Sequence, residues 1–325
     1  MGYKPIIVPE SATLIFKAAG RPDFNDRERV YNYQRAIIRT QIHMEDTFRE
    51  LAQQVPNSVV ITDRGTLDSK AFMAPEDWRR LIAEVGVNEM ELRDQRYDAV
   101  IHMVTAAEGV PEYYKLDDVR TETPQQAIEQ DHRLRAVYLG HSHHKIIDNS
   151  GTFENKVHRV ELEICRILGV PDPLEIERKF LLKSPPITLP DPHVSSDIIQ
   201  VYLDTSKDEE LRIRKRSQDG HSVYTMSRKK KIELGIRIEK EEFLTSTEFQ
   251  ALCHRGKGTL TKRRHCFIHN GRCYELDEYT GKNAGLWILE VEVENINDPV
   301  QLPAWAKDAV DVTNDIRYSN STLIS

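Results

Sequence analysis

Charged and apolar residues alternate along short segments in the second half of the chain, and this period of two constrains the fold most strongly. In the last of these segments, Glu290 and Glu292 alternate with Leu289 and Val291. Successive side chains of a strand point to opposite faces of its sheet, so the pattern predicts strands with one charged and one apolar face. The predicted strands are Glu175–Leu182, Ile198–Leu203, Glu210–Arg216, Ser222–Lys230, Gly235–Phe243, Leu260–Ile268, Arg272–Tyr279 and Leu286–Glu294, with a helix at Thr247–Arg255 that is capped by Ser246 or Thr247.

The charged faces of these strands carry both signs. Glu175, Glu177 and Lys179 share a face of the first strand, and Arg212 and Arg214 share a face of the third. An open antiparallel sheet with one hydrated face commonly explains such a pattern. Carboxylates in a row repel unless a cation lies among them, however, and Mg²⁺ and Mn²⁺ prefer carboxylate oxygens while leaving positions for phosphate oxygens. A sheet closed into a barrel would then line its lumen with charge and hold an elongated polyanion.

An ordered set of motifs in this half resembles the CYTH superfamily, the triphosphate tunnel metalloenzymes. The set begins with E-x-E-x-K at residues 175–179 and continues with Arg212-Ile213-Arg214, Lys262-Arg263-Arg264, Leu276-Asp277 and Glu290-Val291-Glu292. The resemblance implies an eight-stranded antiparallel tunnel barrel over residues 174–325. It also implies one or two Mg²⁺ or Mn²⁺ ions held by Glu175, Glu177, Asp277, Glu290 and Glu292. The implied phosphate-binding residues are Lys179, Arg212, Arg214, Lys229, Lys262 and Arg264. We expect Arg216, which continues the row of arginines, to reach solvent.

Up to about residue 170, apolar runs alternate with helical patterns, which indicates βα units and a mainly parallel sheet. The predicted strands are Pro5–Pro9, Ser58–Thr62, Ala99–Val104 and Lys145–Asp148, and the predicted helices are Arg27–Gln54, Pro75–Val85, Thr123–His141 and Phe153–Leu168. Two prolines stiffen the linker at residues 169–173. We therefore predict an α/β domain over residues 1–173, followed by the β domain over residues 174–325.

The strand at residues 58–62 ends in Asp63 and Arg64, as in nucleoside and nucleotide kinases, where the Asp lies near Mg²⁺; an Asp at this position is also a common helix or turn cap. Arg120 falls where kinases carry a mobile lid. With Val8–Thr13, His102–Ala107 and Ile147–Ser150, these features resemble the TRPL translocation defect protein family, whose P-loop NTPase-like domain precedes a CYTH-like domain. The resemblance implies GTP binding. The chain has no G-x-x-x-x-G-K-[ST] loop, so we expect this domain to be incomplete and to lack its first strand and Walker A loop.

Two functions remain open from the sequence. The first is metal-dependent binding of a polyphosphate, a nucleotide or a phosphorylated lipid head group such as phosphatidic acid or a phosphoinositide, with a regulatory role in trafficking of a membrane-protein cargo, as the family resemblance implies. The second is a Mg²⁺- or Mn²⁺-dependent triphosphatase acting on tripolyphosphate, nucleoside triphosphates or thiamine triphosphate. The formal net charge of −7 excludes a basic nucleic-acid-binding protein. Four scattered cysteines and no apolar run long enough to span a bilayer predict a cytoplasmic location, with peripheral membrane contact as an extension of it.

Overall fold

The computed structural model describes residues 3–115, 122–170, 174–205, 209–233 and 236–324. Contacts between residues group the chain into two compact units, and the first comprises Met1–Arg96 with Pro111–Val137. The second comprises Tyr97–Val110 with Tyr138–Ser325. None of the described helices combines the length and the apolar character needed to cross a membrane.

Two helices show the local sequence signals that start or end them. The helix at Pro75–Val85 starts with proline at its first turn and ends at Gly86, which adopts a left-handed conformation with φ 77°. The long helix Arg27–Ala52 is capped by Asp26, whose side chain accepts a hydrogen bond from the backbone N–H of Arg29. The helices are α1 (Ser11–Ala19), α2 (Arg27–Ala52), α3 (Pro75–Val85), α4 (Glu89–Asp94), α5 (Pro124–Val137), α6 (Phe153–Ile167) and α7 (Ser246–Cys253).

The strands of the first half pair two by two. They are β1 (Lys4–Val8), β2 (Ser58–Thr62), β3 (Val100–Met103) and β4 (His144–Ile147). β1 is parallel to β2 in the first unit, and β3 is parallel to β4 in the second. In the described residues β2 and β3 therefore have one hydrogen-bonded strand partner each. The parallel α/β character of this half is as expected from the sequence.

The second half forms an antiparallel sheet. Its strands are β5 (Leu174–Leu181), β6 (His193–Leu203), β7 (Glu209–Gln218), β8 (His221–Glu233), β9 (Ile236–Leu244), β10 (Gly256–His269), β11 (Arg272–Tyr279), β12 (Trp287–Glu292) and β13 (Val310–Asp311). In the described part of the chain they follow the order β12-β11-β10-β6-β7-β8-β9-β5-β13. β12 also pairs with β5, so this strand has β11 on one side and β5 on the other.

Several element boundaries differ from the predicted ones. α1 and α4 were not predicted, and β6 and β10 begin earlier than expected because polar or glycine-rich residues such as Ser195 and Gly256 belong to the strands. The cap of α7 is Thr245 rather than Ser246 or Thr247. Its hydroxyl accepts from the N–H of Glu248, and the Glu248 carboxylate accepts from the N–H of Thr245.

The apolar face of the sheet is covered by the rest of the second half. On β5, β10, β11 and β12, Phe180, Phe267 and Leu289 are buried against Trp305 and Ala306 of the C-terminal segment. On β6 and β7, a second cluster packs against α7. Because this face is covered by apolar contacts, the charged residues of the same strands lie on the opposite face, which we call the inner face.

Candidate functional site

Strand register brings charged residues from four strands together on the inner face. Glu290 of β12 lies opposite Lys179 of β5 on one side and opposite Glu275 of β11 on the other. Across the next ladder, Arg264 of β10 lies opposite Asp277 of β11. Residues directly opposite each other in antiparallel strands have neighbouring side chains, so acidic and basic groups distant in sequence become adjacent.

Arg264 is the centre of this group. Its Nε donates to Asp277 Oδ1 at 2.6 Å, and its Nη2 donates to Asp277 Oδ2 at 2.6 Å and to Glu290 Oε2 at 2.7 Å. Its Nη1 donates to Glu275. Three carboxylates therefore converge on one guanidinium, whose planar fork suits several charge-assisted hydrogen bonds.

Two lysines complete the group. Lys179 donates to Glu290, and its Nζ lies 3.0 Å from Glu177 Oε1. Lys262 donates to Asp277. The side chains of Lys262 and Asp277 are 1% and 0% exposed, so this ion pair is entirely removed from water. Buried charges occur in proteins when they are paired, and here each carboxylate has at least one cation beside it.

The pKa values show how strongly these groups are coupled. Burial opposes ionisation of Glu290, but Lys179, Lys262 and Arg264 outweigh burial and hold its pKa well below the usual range. For Glu275, burial dominates and raises the pKa despite the opposing charge of Arg264. Burial and the neighbouring Arg264 lower the pKa of Lys262, although Asp277 acts in the other direction. We expect Glu290 to remain ionised in this environment.

A second charged group lies on β6–β9. Arg214 Nη2 donates to both carboxylate oxygens of Glu241, at 2.7 and 3.0 Å. Strand register places Gln200 and Thr225 on either side of Arg214. Both side chains are buried, and Gln200 Oε1 and Thr225 Oγ1 have no hydrogen-bond partner among the described residues. Buried polar atoms normally have a hydrogen-bond partner, so Gln200, Arg214 and Thr225 together are suited to contact a polar ligand or water.

The other predicted phosphate-binding residues also lie on the inner face. Arg212 is opposite Tyr202 and Ser227 in the neighbouring strands, and Lys229 lies two residues beyond Ser227. Arg212 and Lys229 are both buried. The structure thus brings the predicted basic residues to one face, in two groups. Arg216 is half-buried rather than fully exposed, and it donates to the backbone carbonyl of Gly140.

Four of the five predicted metal ligands, Glu177, Asp277, Glu290 and Glu292, are paired with protein cations. Glu292 contacts Lys145, and the side chain of Glu175 lies outside the described residues. Among the described side chains, no three His, Cys, Asp or Glu residues form a ready-made metal site. The donors are nevertheless all carboxylate oxygens, which Mg²⁺ and Mn²⁺ prefer, and two of them, those of Asp277 and Glu290, already meet at one cation, Arg264. The donor set therefore fits such an ion.

One end of the inner face is apolar. Leu260, Tyr279 and Ile288 form a buried cluster there, against which C-terminal residues such as Leu323 pack. The hydroxyl of Tyr279 donates to Asn320 Oδ1 at 2.7 Å. On β10, β11 and β12 the charged residues Arg264, Glu275 and Glu290 lie further along the same strands, so this part of the inner face changes from apolar to charged along its length.

The residues predicted for a nucleotide site lie in the first unit. Asp63 follows β2 and is exposed, and Arg64 Nη1 donates to Asp68 at 3.3 Å. Arg64 Nε also lies 3.7 Å from Glu10, which follows β1. These contacts bring acidic and basic residues to the carboxyl ends of two parallel strands. Arg120 lies outside the described residues.

Sequence reasoning did not assign a role to several residues of the charged groups. Glu275 and Glu241 share faces with predicted ligands, so strand parity could have found them. Gln200 and Thr225 carry no charge, and uncharged polar residues give no such signal. Lys145 lies in the first half of the sequence, and no local pattern connects it with Glu292.

Comparison with known proteins identifies both parts of the chain. A family model of the AAA domain matches residues 1–156, and a model of the CYTH domain matches residues 173–325. The chain is an AAA domain followed by a CYTH domain. The residues of the inner face thus belong to the CYTH domain, apart from Lys145, which lies within the range matched by the AAA model.

The CYTH domain is similar to proteins named triphosphatases. The inorganic triphosphatase of Acetivibrio thermocellus is 29% identical over 154 residues, which cover 46% of this chain and 92% of that protein. The solved inorganic triphosphatase NE1496 is 30% identical over 46% of this chain and 93% of its own, with a TM-score of 0.35. The solved RNA triphosphatase Pct1 of S. pombe is 15% identical over 45% of this chain and 80% of its own, with a TM-score of 0.24.

Proposed function

We propose that strands β5–β12 enclose a tunnel that binds inorganic triphosphate together with a divalent cation and hydrolyses it to diphosphate and phosphate. The observation that carries the proposal is the burial of many opposite charges on one sheet face. Lys179, Lys262, Asp277 and Glu290 are each between 0% and 6% exposed, although such residues are seldom buried in ordinary cores. The similarity to inorganic triphosphatases supports the same substrate class.

The balance of charge explains why a cation is required with the substrate. The carboxylates of the inner face pair with its lysines and arginines, so the protein groups by themselves offer little net attraction to a polyanion. A divalent cation among Glu175, Glu177, Asp277, Glu290 and Glu292 would neutralise carboxylate charge and phosphate charge together. The basic side chains would then turn from their carboxylate partners to phosphate oxygens.

The arginines provide the geometry for this exchange. Arg212 and Arg214 lie two apart on β7, which places their backbones ~6.5 to 7 Å apart along the strand. Each guanidinium can bind two phosphate oxygens in parallel, whereas a lysine acts as a point charge. Gln200 and Thr225 would supply hydrogen bonds beside Arg214. This wall would orient adjacent phosphoryl groups and offset the charge that develops as a P–O bond breaks.

Other features implied by the sequence stay predictions. These are GTP binding by the AAA domain, recognition of phosphatidic acid or a phosphoinositide, a role in membrane-protein trafficking, a cytoplasmic location and peripheral membrane contact. No contact of the described residues favours any of them over binding of inorganic triphosphate.

The proposal is tested by measuring phosphate release from tripolyphosphate by the full chain, with Mg²⁺ or Mn²⁺ and with EDTA. We expect release with the metal ions and none with EDTA, and faster release from tripolyphosphate than from ATP, GTP or thiamine triphosphate. Isothermal titration with tripolyphosphate, under conditions in which no phosphate is released during the measurement, separates binding from hydrolysis. Binding without hydrolysis would favour the regulatory alternative.

A pair of variants links any activity to the inner face. Arg214→Met removes a guanidinium from the basic wall, whereas Arg263→Met makes the same change at an exposed residue beside Arg264 on the opposite face of β10. We expect the first variant to lose most tripolyphosphate binding and the second to keep it. Equal losses, or no release and no binding by the unaltered chain, would contradict the proposal.

A further inference from the structure

A segment of the first half lies against the charged end of the inner face. Gly140 accepts a hydrogen bond from Arg216, and His144 Nδ1 lies 3.6 Å from Cys273 Sγ. Lys145 forms an ion pair with Glu292. These three contacts belong to one compact unit. Residues 138–147, which precede the CYTH match, therefore cover the inner face where β7, β11 and β12 carry Arg216, Cys273 and Glu292.

The contact between Lys145 and Glu292 is the one that touches the proposed metal-binding residues. Glu292 is the last residue of β12 and lies opposite Glu177 of β5. The Glu292 side chain is 40% exposed and that of Lys145 is 23% exposed, so both can exchange partners without unfolding the sheet. Arg166 and Glu163 form a further ion pair at 3.3 Å on the neighbouring helix α6. The end of the inner face thus receives one charge, that of Lys145, from outside the CYTH match.

We propose that Lys145 is a further phosphate-binding residue of the triphosphate site: it neutralises Glu292 while no divalent cation is bound, and it contacts the terminal phosphoryl group once a cation occupies the carboxylates. This inference rests on the proposed function. Its physical basis is that an ammonium and a metal ion compete for the same carboxylate oxygens, because both are cations and repel each other at short range.

Two consequences distinguish this role from one that only attaches β4 to the CYTH domain. Removing the ammonium should strengthen binding of the metal alone, because its competitor is gone. The same change should weaken binding of tripolyphosphate in the presence of metal, because a phosphate-binding cation is lost. If the lysine had only a structural role, its replacement would weaken the binding of both metal and tripolyphosphate, or of neither.

The experiment measures Mn²⁺ affinity without phosphate, and tripolyphosphate affinity at saturating Mn²⁺, for the full chain and its variants. For Lys145→Met we expect Mn²⁺ to bind at least about fivefold more tightly and tripolyphosphate at least about fivefold more weakly, the effect of one unit charge at short range in a wet site. Lys145→Arg, which keeps the charge, should restore both affinities to within about twofold.

Two controls keep the result specific. Lys257→Met breaks an ion pair to Asp204 whose side chains are 52% and 82% exposed, and it should change neither affinity. In a Glu292→Gln background, Lys145→Met should no longer strengthen Mn²⁺ binding, because the competition is for that carboxylate. Thermal unfolding of each variant identifies any loss of folded protein.

The outcomes separate this inference from the proposed function. If the unaltered chain binds tripolyphosphate with Mn²⁺ but Lys145→Met leaves both affinities unchanged, or lowers both, the role of Lys145 is refuted and the proposed function stands. If the unaltered chain binds no tripolyphosphate, both are refuted. Opposite shifts of the two affinities, lost in the Glu292→Gln background, support the role of Lys145.

Discussion

Replacing Glu290 by glutamine tests whether the buried carboxylates hold the inner face together. The substitution keeps the shape of the side chain and removes its charge. Glu290 is 4% exposed and accepts hydrogen bonds from Lys179 and Arg264. Without this carboxylate, the buried lysines Lys179 and Lys262 and the partly buried Arg264 have too few anions among them. Breaking a buried ion pair by removing one partner typically lowers stability by about 3 to 5 kcal/mol.

The assay is thermal unfolding of the full chain in EDTA, so that no metal replaces the lost charge balance. For a domain of this size, 1 kcal/mol shifts the melting temperature by roughly 2 to 4 °C, so we expect the CYTH domain of Glu290→Gln to melt about 6 to 20 °C lower at pH 7. The matched control is Glu275→Gln, the same change at the residue directly opposite on β11. Its pKa is raised by burial, so its charge does not stabilise the fold, and this variant should be at least as stable as the unaltered chain at pH 7.

The two variants should also differ in their dependence on pH. The pKa of Glu290 is lowered on folding, so its contribution is present above the unfolded value near 4.5 and is lost as the pH falls through the lower folded value. The deficit of Glu290→Gln should therefore shrink below about pH 4.5. The pKa of Glu275 is raised on folding, so the gain in stability of Glu275→Gln over the unaltered chain should grow as the pH rises above about 4.5. A Glu290→Gln chain as stable as the unaltered chain at pH 7 would refute this account of the charge network.

Further predictions concern the basic wall, α7 and the first unit. Arg212→Ala and Arg214→Ala should each weaken tripolyphosphate binding by about 1.5 to 3 kcal/mol, the range for hydrogen bonds to charged groups, as measured by titration calorimetry; equal losses from Arg263→Ala would place the ligand elsewhere. Thr245→Ala, which removes the capping box of α7, should lower the free energy of unfolding by about 1 kcal/mol in urea titrations, whereas Thr247→Ala should have a smaller effect. Asp63→Asn should leave tripolyphosphate hydrolysis within about twofold of the unaltered chain, since Asp63 belongs to the first unit and not to the inner face.

Strand parity was a reliable guide because the side-chain period of a strand is two. It predicted that Lys179, Arg264 and Glu290 would face the same side, and the apolar cluster around Phe267 and Leu289 on the opposite face agrees with this. Strand ends were less predictable. Ser195 and Gly256 have turn-like character, yet pairing between β6 and β10 includes both of them. In such segments the hydrogen bonds between distant strands outweigh the local preference of serine and glycine for turns.

The pairing of individual charges could not be predicted from the sequence. Which cation contacts Glu290 depends on the register between β5, β11 and β12, and a change of two residues in that register would keep the same face but exchange every partner. The position of Arg264 between three carboxylates therefore depends on the strand register, which the sequence alone does not give. The same reasoning applies to Lys145, whose partner lies 147 residues away in the sequence.

These pairings connect the stability of the CYTH domain with its proposed chemistry. A ligand-free inner face must neutralise its own charges, since isolated buried ions are strongly destabilising. Arg264 and Lys179 therefore lie on the carboxylates that a divalent cation would need, and cation and polyanion must displace these contacts together. A cation alone leaves the lysines and arginines without anions, and a polyanion alone leaves the carboxylates without cations. Joint binding restores both balances, so we expect the affinities for Mn²⁺ and tripolyphosphate to rise together, reciprocally and by the same factor.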